Sequence, residues 1–292
     1  MYQSVFKDGL FSEQLIVVTG AGSGIGRCVA HELASLGAQI ALIGRNEDKL
    51  KLVQSEIHER GGKASFHPAD IRDEAAIERA FEAIMSQYGR IDGLVNNAGG
   101  QYPAPLESIS LKGWDAVLNT NLTGGFIVAK AALHFAMKAA GGSIVNIIAD
   151  MWNGMPGMGH SGAARAGMLN FTETAACEWA SYGVRVNAVA PGWIASSGLD
   201  TYAPPMQAQL RRLKKVVPLQ RLGTESEVSA AILFLLSPAA NFITGTCLRV
   251  DGGVPNARHT WPAQTLTDSN LRPSITAFNG FDLASEPNML KE

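Results

Sequence analysis

Three cysteines in the chain, Cys28, Cys177 and Cys247, are too few and too far apart for a disulfide framework or a zinc site. Charge of one sign is missing too. With 24 Lys and Arg against 26 Asp and Glu, the formal net charge is −2. Nucleic-acid binding through a basic footprint and anchoring by a polybasic patch are thereby excluded. No apolar run approaches the roughly 18 residues of a membrane span, and the first residues carry no secretory leader pattern. These absences point to a cytoplasmic protein in a reducing compartment, without membrane or nucleic-acid partners.

What is present is alternation. Segments 15–19, 39–43, 64–67, 93–96, 143–148, 184–190 and 247–250 are short, rich in Ile and Val, and apolar at successive positions. That is the signature of strands buried on both faces. Between them, 25–36, 47–60, 73–88, 114–138 and 163–181 carry helical periodicity. The βαβ order predicts an α/β fold: a doubly wound, parallel, seven-stranded sheet flanked by helices, in one domain over 1–253. Periodicity stops near Gly253, leaving an irregular tail over 254–292 rich in Pro, Asn, Ser and Thr. A second irregular stretch, 196–218, contains Pro204-Pro205 and the basic residues Arg211, Arg212, Lys214 and Lys215. It follows a strand end, where open α/β sheets bind ligands, and suits a substrate lid. The bland alternative for its basic residues is a solvated helix face.

The first strand hands over to its helix through Thr19-Gly20-Ala21-Gly22-Ser23-Gly24-Ile25-Gly26. Glycines in that context let backbone N–H groups approach a pyrophosphate at the positive end of the helix. Further motifs follow at intervals: Asn96-Asn97-Ala98-Gly99, Asn121-Leu122-Thr123-Gly124, Pro191-Gly192-Trp193-Ile194 and Asp251-Gly252-Gly253. Together, over about residues 10–253, they resemble the short-chain dehydrogenase/reductase family. The resemblance implies a Rossmann-like domain, usually a homotetramer or homodimer, that binds NAD or NADP. It implies phosphate contacts from Gly20, Ser23, Gly24 and Ile25, with Gly26 completing the turn. Asp70 and Ile71 would meet the adenine, and Asn97, Ala98 and Gly99 would line the adenosine side. Beyond Pro191 and Gly192, Ile194 and Ser196 would hold the nicotinamide carboxamide and a nearby phosphate.

The end of the second strand selects the cofactor. An acid there binds the ribose 2′-hydroxyl of NAD, whereas a cation suits the 2′-phosphate of NADP. This chain reads Ile43-Gly44-Arg45-Asn46, with no acid and a guanidinium whose planar fork fits a phosphate. NADP(H) is expected ahead of NAD(H). The alternative is that Arg45 only opens the following helix.

The family's catalytic Asn, Ser, Tyr and Lys would fall on Asn121, Ala149, Ser161 and Arg165. Only the first is kept. Ser161 and Arg165, four apart, share a helix face. A guanidinium can hydrogen-bond ribose hydroxyls but cannot relay protons, and an unactivated serine is a poor general acid. Candidate substitutes are Tyr102 after the fourth strand, Asp150, His160 beside Ser161, and Tyr202 in the lid. Trp152 and Trp193 read as pocket walls.

The stretches 142–148 and His160-Ser161-Gly162-Ala163-Ala164-Arg165-Ala166-Gly167 look like the peroxisomal trans-2-enoyl-CoA reductases. Asn96-Asn97 through Gly100-Gln101, and Leu236-Ser237-Pro238-Ala239-Ala240, add to that likeness. It implies reduction of a C=C bond in an apolar or acyl-CoA substrate, the enolate oxygen being stabilised by Arg165, Ser161 and Asn121. The terminal Met289-Leu290-Lys291-Glu292 is not a peroxisomal address. Bacterial citronellol/citronellal dehydrogenases are similar in plan, which leaves acyclic terpenoid alcohols as the alternative substrate. A non-enzymatic NADP sensor with a vestigial cleft is the alternative of another class.

Overall fold

The computed structural model describes residues 4–196, 199, 212–213 and 215–256. Seven strands pair in parallel: β1 (Leu15–Thr19), β2 (Gln39–Gly44), β3 (Lys63–Pro68), β4 (Gly93–Asn96), β5 (Gly142–Ile147), β6 (Val184–Pro191) and β9 (Cys247–Val250). Their order is β3-β2-β1-β4-β5-β6-β9. Every residue of β1 and β4 is buried, as continuous apolar runs covered on both faces require. The order reverses between β1 and β4, so the chain leaves two neighbouring strand ends in opposite directions and opens a crevice there.

Helices fill both faces. On one, α1 (Gly24–Ser35), α2 (Glu47–Glu59) and α8 (Glu225–Leu236) bring Leu33, Val53 and Ile232 against the sheet. On the other, α3 (Glu74–Tyr88), α5 (Gly124–Ala132) and α7 (Gly159–Glu178) contribute Phe81, Val128 and Ala176. Side-chain caps set the helix starts. Asn46 accepts from the Lys49 amide at the head of α2, and Asp73 from the Ala76 amide at the head of α3.

All seven expected strands are present within a residue of their expected ends. The helices depart more. The 114–138 helix begins as α4 (Leu111–Leu118) and continues through α5 to α6 (Lys138–Ala140), with π turns at Asn119–Thr123 and Leu133–Met137. A π turn adds a residue to the helical repeat and re-aims side chains; here it turns Asn121 inward. Helix α7 begins at Gly159, four residues earlier than periodicity suggests, which takes His160 and Ser161 into its first turn. Helix α8 escaped the periodicity reading because it is apolar nearly all round. Its local signal is a capping box, in which Thr224 and Glu227 each satisfy the other's backbone.

The expected lid lies mostly outside the described residues, as do Tyr202, Arg211, Lys214 and residues 257–292 of the tail. Arg212 and Lys215 are described, and both are exposed. On either side of that stretch, β7 (Ile194–Ala195) pairs in parallel with β8 (Gly223–Thr224). Among the described residues, no helix is long and apolar enough to cross a membrane.

Candidate active site

The crevice begins at the glycine turn. Gly20 has φ 65°, and a Cβ there would come within 2.9 Å of the Ala98 Cα. At Gly26 a Cβ would overlap the Gly20 carbonyl oxygen. Both positions therefore need glycine for the turn to close on itself. Ser23 stands just before α1 without capping it through its side chain, and Ile25 follows in the first turn. Asn97 braces the loop from behind, its Nδ2 donating to the Thr19 carbonyl at 3.0 Å. The Thr19 hydroxyl accepts the amides of both Asn97 and Ala98 at 2.9 Å.

A cavity of about 720 Å³ opens beside this turn. Its lining includes Gly20, Ser23, Arg45, Asp70, Ile71, Asn97, Ala98 and Gly99, all expected at a nucleotide. It also includes two cations that the sequence reading passed over, Lys49 and Arg72. Lys49 was missed because it lies one helical turn past the motif, and Arg72 because its position depends on the β3 register. Arg72 is paired with Asp70 at 2.6 Å, and that hydrogen bond holds the Asp70 carboxyl below its ordinary range. Arg45 and Lys49 make no ion pair among the described residues. Arg45 also helps to lower the Asp70 carboxyl, and two cations without an ion pair facing a concave cavity at a helix N-terminus suit a polyanion. The residues present thus fit a dinucleotide.

Deeper in, the substituted residues converge. Ser161 is fully buried, and its Oγ donates to Gln101 Oε1 at 2.5 Å. Arg165 reaches under β5, where Nη1 donates to the Ile147 carbonyl at 2.7 Å. Its Nε is buried without a partner, and burial pushes the guanidinium down to about 10, so it stays charged at neutral pH. A Cβ on Gly99 would lie 2.6 Å from Arg165 Nη2 and 2.8 Å from Asn121 Oδ1, which places those two groups together. Asn121 holds the Gly100 backbone from both sides: Oδ1 accepts its amide at 3.0 Å, and Nδ2 donates to its carbonyl at 2.6 Å. That side chain braces the loop after β4.

The candidate substitutes for tyrosine are distributed unevenly. His160 is fully buried, with Nδ1 accepting the Ser161 amide at 2.9 Å and Nε2 lacking a partner. The Tyr102 ring packs edge-on against it at 4.7 Å, but the phenol oxygen is turned away and lies against Gly113. Asp150 sits among Asp251 and Arg249; burial raises its carboxyl first, and Asp251 adds to the shift. Trp152 lies under Arg249 at 5.5 Å. Trp193 walls a separate cavity of about 440 Å³ with Ile194, Val217 and Leu219. Pro191 ends β6, Gly192 bonds the Val250 carbonyl at 2.9 Å, and Ser196 follows β7 half-buried.

One further acid stands at the turn. Glu225, the first residue of α8, is 6 % exposed with Oε1 near the Gly24 backbone. Burial pushes its carboxyl up to about 7 against the pull of Arg27.

Comparison with known proteins places this geometry among relatives. A family profile described as Enoyl-(Acyl carrier protein) reductase matches residues 20–255. A probable 2,4-dienoyl-CoA reductase of Bacillus subtilis is 36% identical over 244 residues, 82% of this chain and 96% of that one. A 3-oxoacyl-[acyl-carrier-protein] reductase of Synechocystis is 38% identical, over 82% of this chain and 96% of its own length. Among solved structures, a citronellol catabolism dehydrogenase of Pseudomonas aeruginosa is 56% identical with a TM-score of 0.79. That likeness covers 87% of this chain and all of the other.

Proposed function

Since the chain belongs to the short-chain dehydrogenase/reductase family, whose members are nicotinamide-dependent oxidoreductases, we propose that it uses NADP(H) to reduce the C=C bond of an apolar α,β-unsaturated substrate such as a 2-enoyl-CoA. Bound in the crevice, reduced nicotinamide would supply the hydride. Arg45 and Lys49, both unpaired among the described residues, support the choice of NADP(H), since a 2′-phosphate would neutralise them. Gly20, Ser23, Gly24, Ile25 and Gly26 would cradle the pyrophosphate.

The observation that carries the reaction is the pair at its centre. Ser161 has its proton engaged on Gln101, and Arg165 is a half-buried cation, where carbonyl reduction would want a proton donor. When the β-carbon accepts hydride, the π pair moves onto the substrate oxygen, which becomes an enolate. Positive charge and donors stabilise that oxygen without giving up a proton, and the α-carbon then takes its proton from water. An alcohol dehydrogenase lacking its general acid would forfeit about 10²–10⁴-fold. The likeness to the enoyl-(acyl carrier protein) reductase profile and to the probable 2,4-dienoyl-CoA reductase of Bacillus subtilis favours the same substrate class.

A second reading, interconversion of acyclic terpenoid alcohols and aldehydes, is favoured by the 56% identity to the citronellol catabolism dehydrogenase. It needs a replacement acid, and buried His160, whose Nδ1 accepts the Ser161 amide and whose Nε2 has no partner, is the candidate that adjoins Ser161. Our reading keeps residues 1–253 as the catalytic domain, in a cytoplasmic homotetramer or homodimer. The free cysteines accord with a reducing compartment, and sedimentation tests the assembly. The function is tested by purified protein with NADPH and trans-2-enoyl-CoA esters, and separately with NADP⁺ and citronellol. Turnover of the esters is expected. Turnover of the alcohol alone installs the second reading, and NADPH binding without any turnover leaves a sensor.

A further inference from the structure

We propose that Gln101, rather than Ser161, presents the hydrogen bond to the substrate oxygen, and that Ser161 orients it. The inference rests on the reading above only in requiring a substrate oxygen beside position 161. A serine hydroxyl has one proton, and that of Ser161 is directed at Gln101 Oε1, 2.5 Å away. Ser161 is fully buried, whereas Gln101 is exposed, two residues past Gly99 in the cavity lining. With Oε1 occupied, the carboxamide plane is set and its two Nε2 protons point away from the serine. Nε2 makes no hydrogen bond among the described residues.

The backbone carrying this donor is held on each side. Asn121 clamps Gly100 by amide and carbonyl at 3.0 and 2.6 Å. Past Gln101, the Tyr102 ring rests on His160 at 4.7 Å, and the Ala104 amide donates to the Gly157 carbonyl at 2.8 Å. The loop after β4 is therefore fastened to Asn121 at Gly100 and to the head of α7 from Gln101 to Ala104. A donor fixed before the reaction needs no reorganisation as negative charge develops on the substrate oxygen. The amide transfers no proton: the oxygen gains the π pair, keeps only hydrogen bonds, and returns the pair as the α-carbon is protonated by water. Buried Ser161 thus takes the position of the family's tyrosine while serving as an anchor.

The test compares Gln101→Ala, Gln101→Glu and Ser161→Ala with the wild type, using whichever substrate the wild type turns over. Gln101→Ala should lower kcat by about 10²–10³-fold, the range for loss of one such donor, with NADPH affinity unchanged. Ser161→Ala should lower kcat less than tenfold, since the loop remains clamped by Asn121. Gln101→Glu supplies the readout that a structural role would not move. Its carboxylate cannot donate, so its activity should rise as pH falls and the acid form returns, an acid limb absent from the wild type and from Gln101→Ala. A Ser161→Ala loss equal to or greater than that of Gln101→Ala overturns the proposal, as does a Gln101→Glu profile parallel to the wild type. The choice between ester and alcohol is read from the wild type alone, so that reading can fail while Gln101 stands. No wild-type turnover of either class overturns both.

Discussion

Arg165 Nη1 donates to the Ile147 carbonyl oxygen at 2.7 Å, which ties the cation of α7 to the last residue of β5. One arm of the fork is thus structural. The other, Nη2, lies against Gly99, on the cofactor side of the crevice. A lysine ammonium, a point charge on a flexible stem, would not serve both ends in this way.

Replacing Arg165 with Met should therefore weaken NADPH binding and slow hydride transfer together. The expected loss in single-turnover rate is about 10²-fold, typical of removing a preorganised charge. Fluorescence titration and stopped-flow absorbance read the two effects. A slow variant with normal NADPH affinity and a new pH dependence would mean that Arg165 acts on protons instead.

Arg45→Ala should reduce NADPH affinity by roughly ten- to a hundredfold, as for one charge-assisted contact of about 1.5–3 kcal/mol, and leave NADH untouched. Lys49 and Arg72 line the same cavity, so some preference for NADPH should survive. Titration of both reduced cofactors checks this. Unchanged NADPH binding in the variant would remove Arg45 from the site.

Glu225 makes stability depend on pH in the direction opposite to a salt-bridged acid. Its carboxyl sits near 7 in the fold against 4.5 for the free group. Between those values the unfolded chain has lost the proton and the folded chain retains it, so stability falls as pH rises through the window. The span corresponds to about 3 kcal/mol. Glu225→Gln should remove most of that slope, and urea unfolding between pH 4.5 and 7.5 measures it. Parallel stability curves for the two proteins would show that Glu225 is ionised throughout.

The strands and the glycine turn were legible in the sequence because both obey short-range rules. A strand covered on two faces must be apolar at consecutive positions, and a turn with φ 65° at Gly20 tolerates little but glycine. Arg45 was legible for the same reason, standing just past the end of β2 where register alone decides what faces the cavity. The expectation that Ser161 and Arg165 stand at the family's tyrosine and lysine positions rests on counting from the motifs on either side.

Tertiary structure decided which partners those two side chains meet. Gln101 and Ser161 are sixty residues apart, and no periodicity indicates that one will accept the other's hydrogen bond. The π turn that aims Asn121 at Gly100 is likewise invisible locally, because the residues of Asn119–Thr123 suit an α-helix equally well. Lys49 and Arg72 join Arg45 only once β1, β2 and β3 lie side by side. Local pattern sets which element forms, since backbone sterics and burial periodicity act over a few residues. Which side chains meet depends on packing between elements distant in the chain, and in this protein the direction of a hydroxyl and the pairing of a charge follow from that packing.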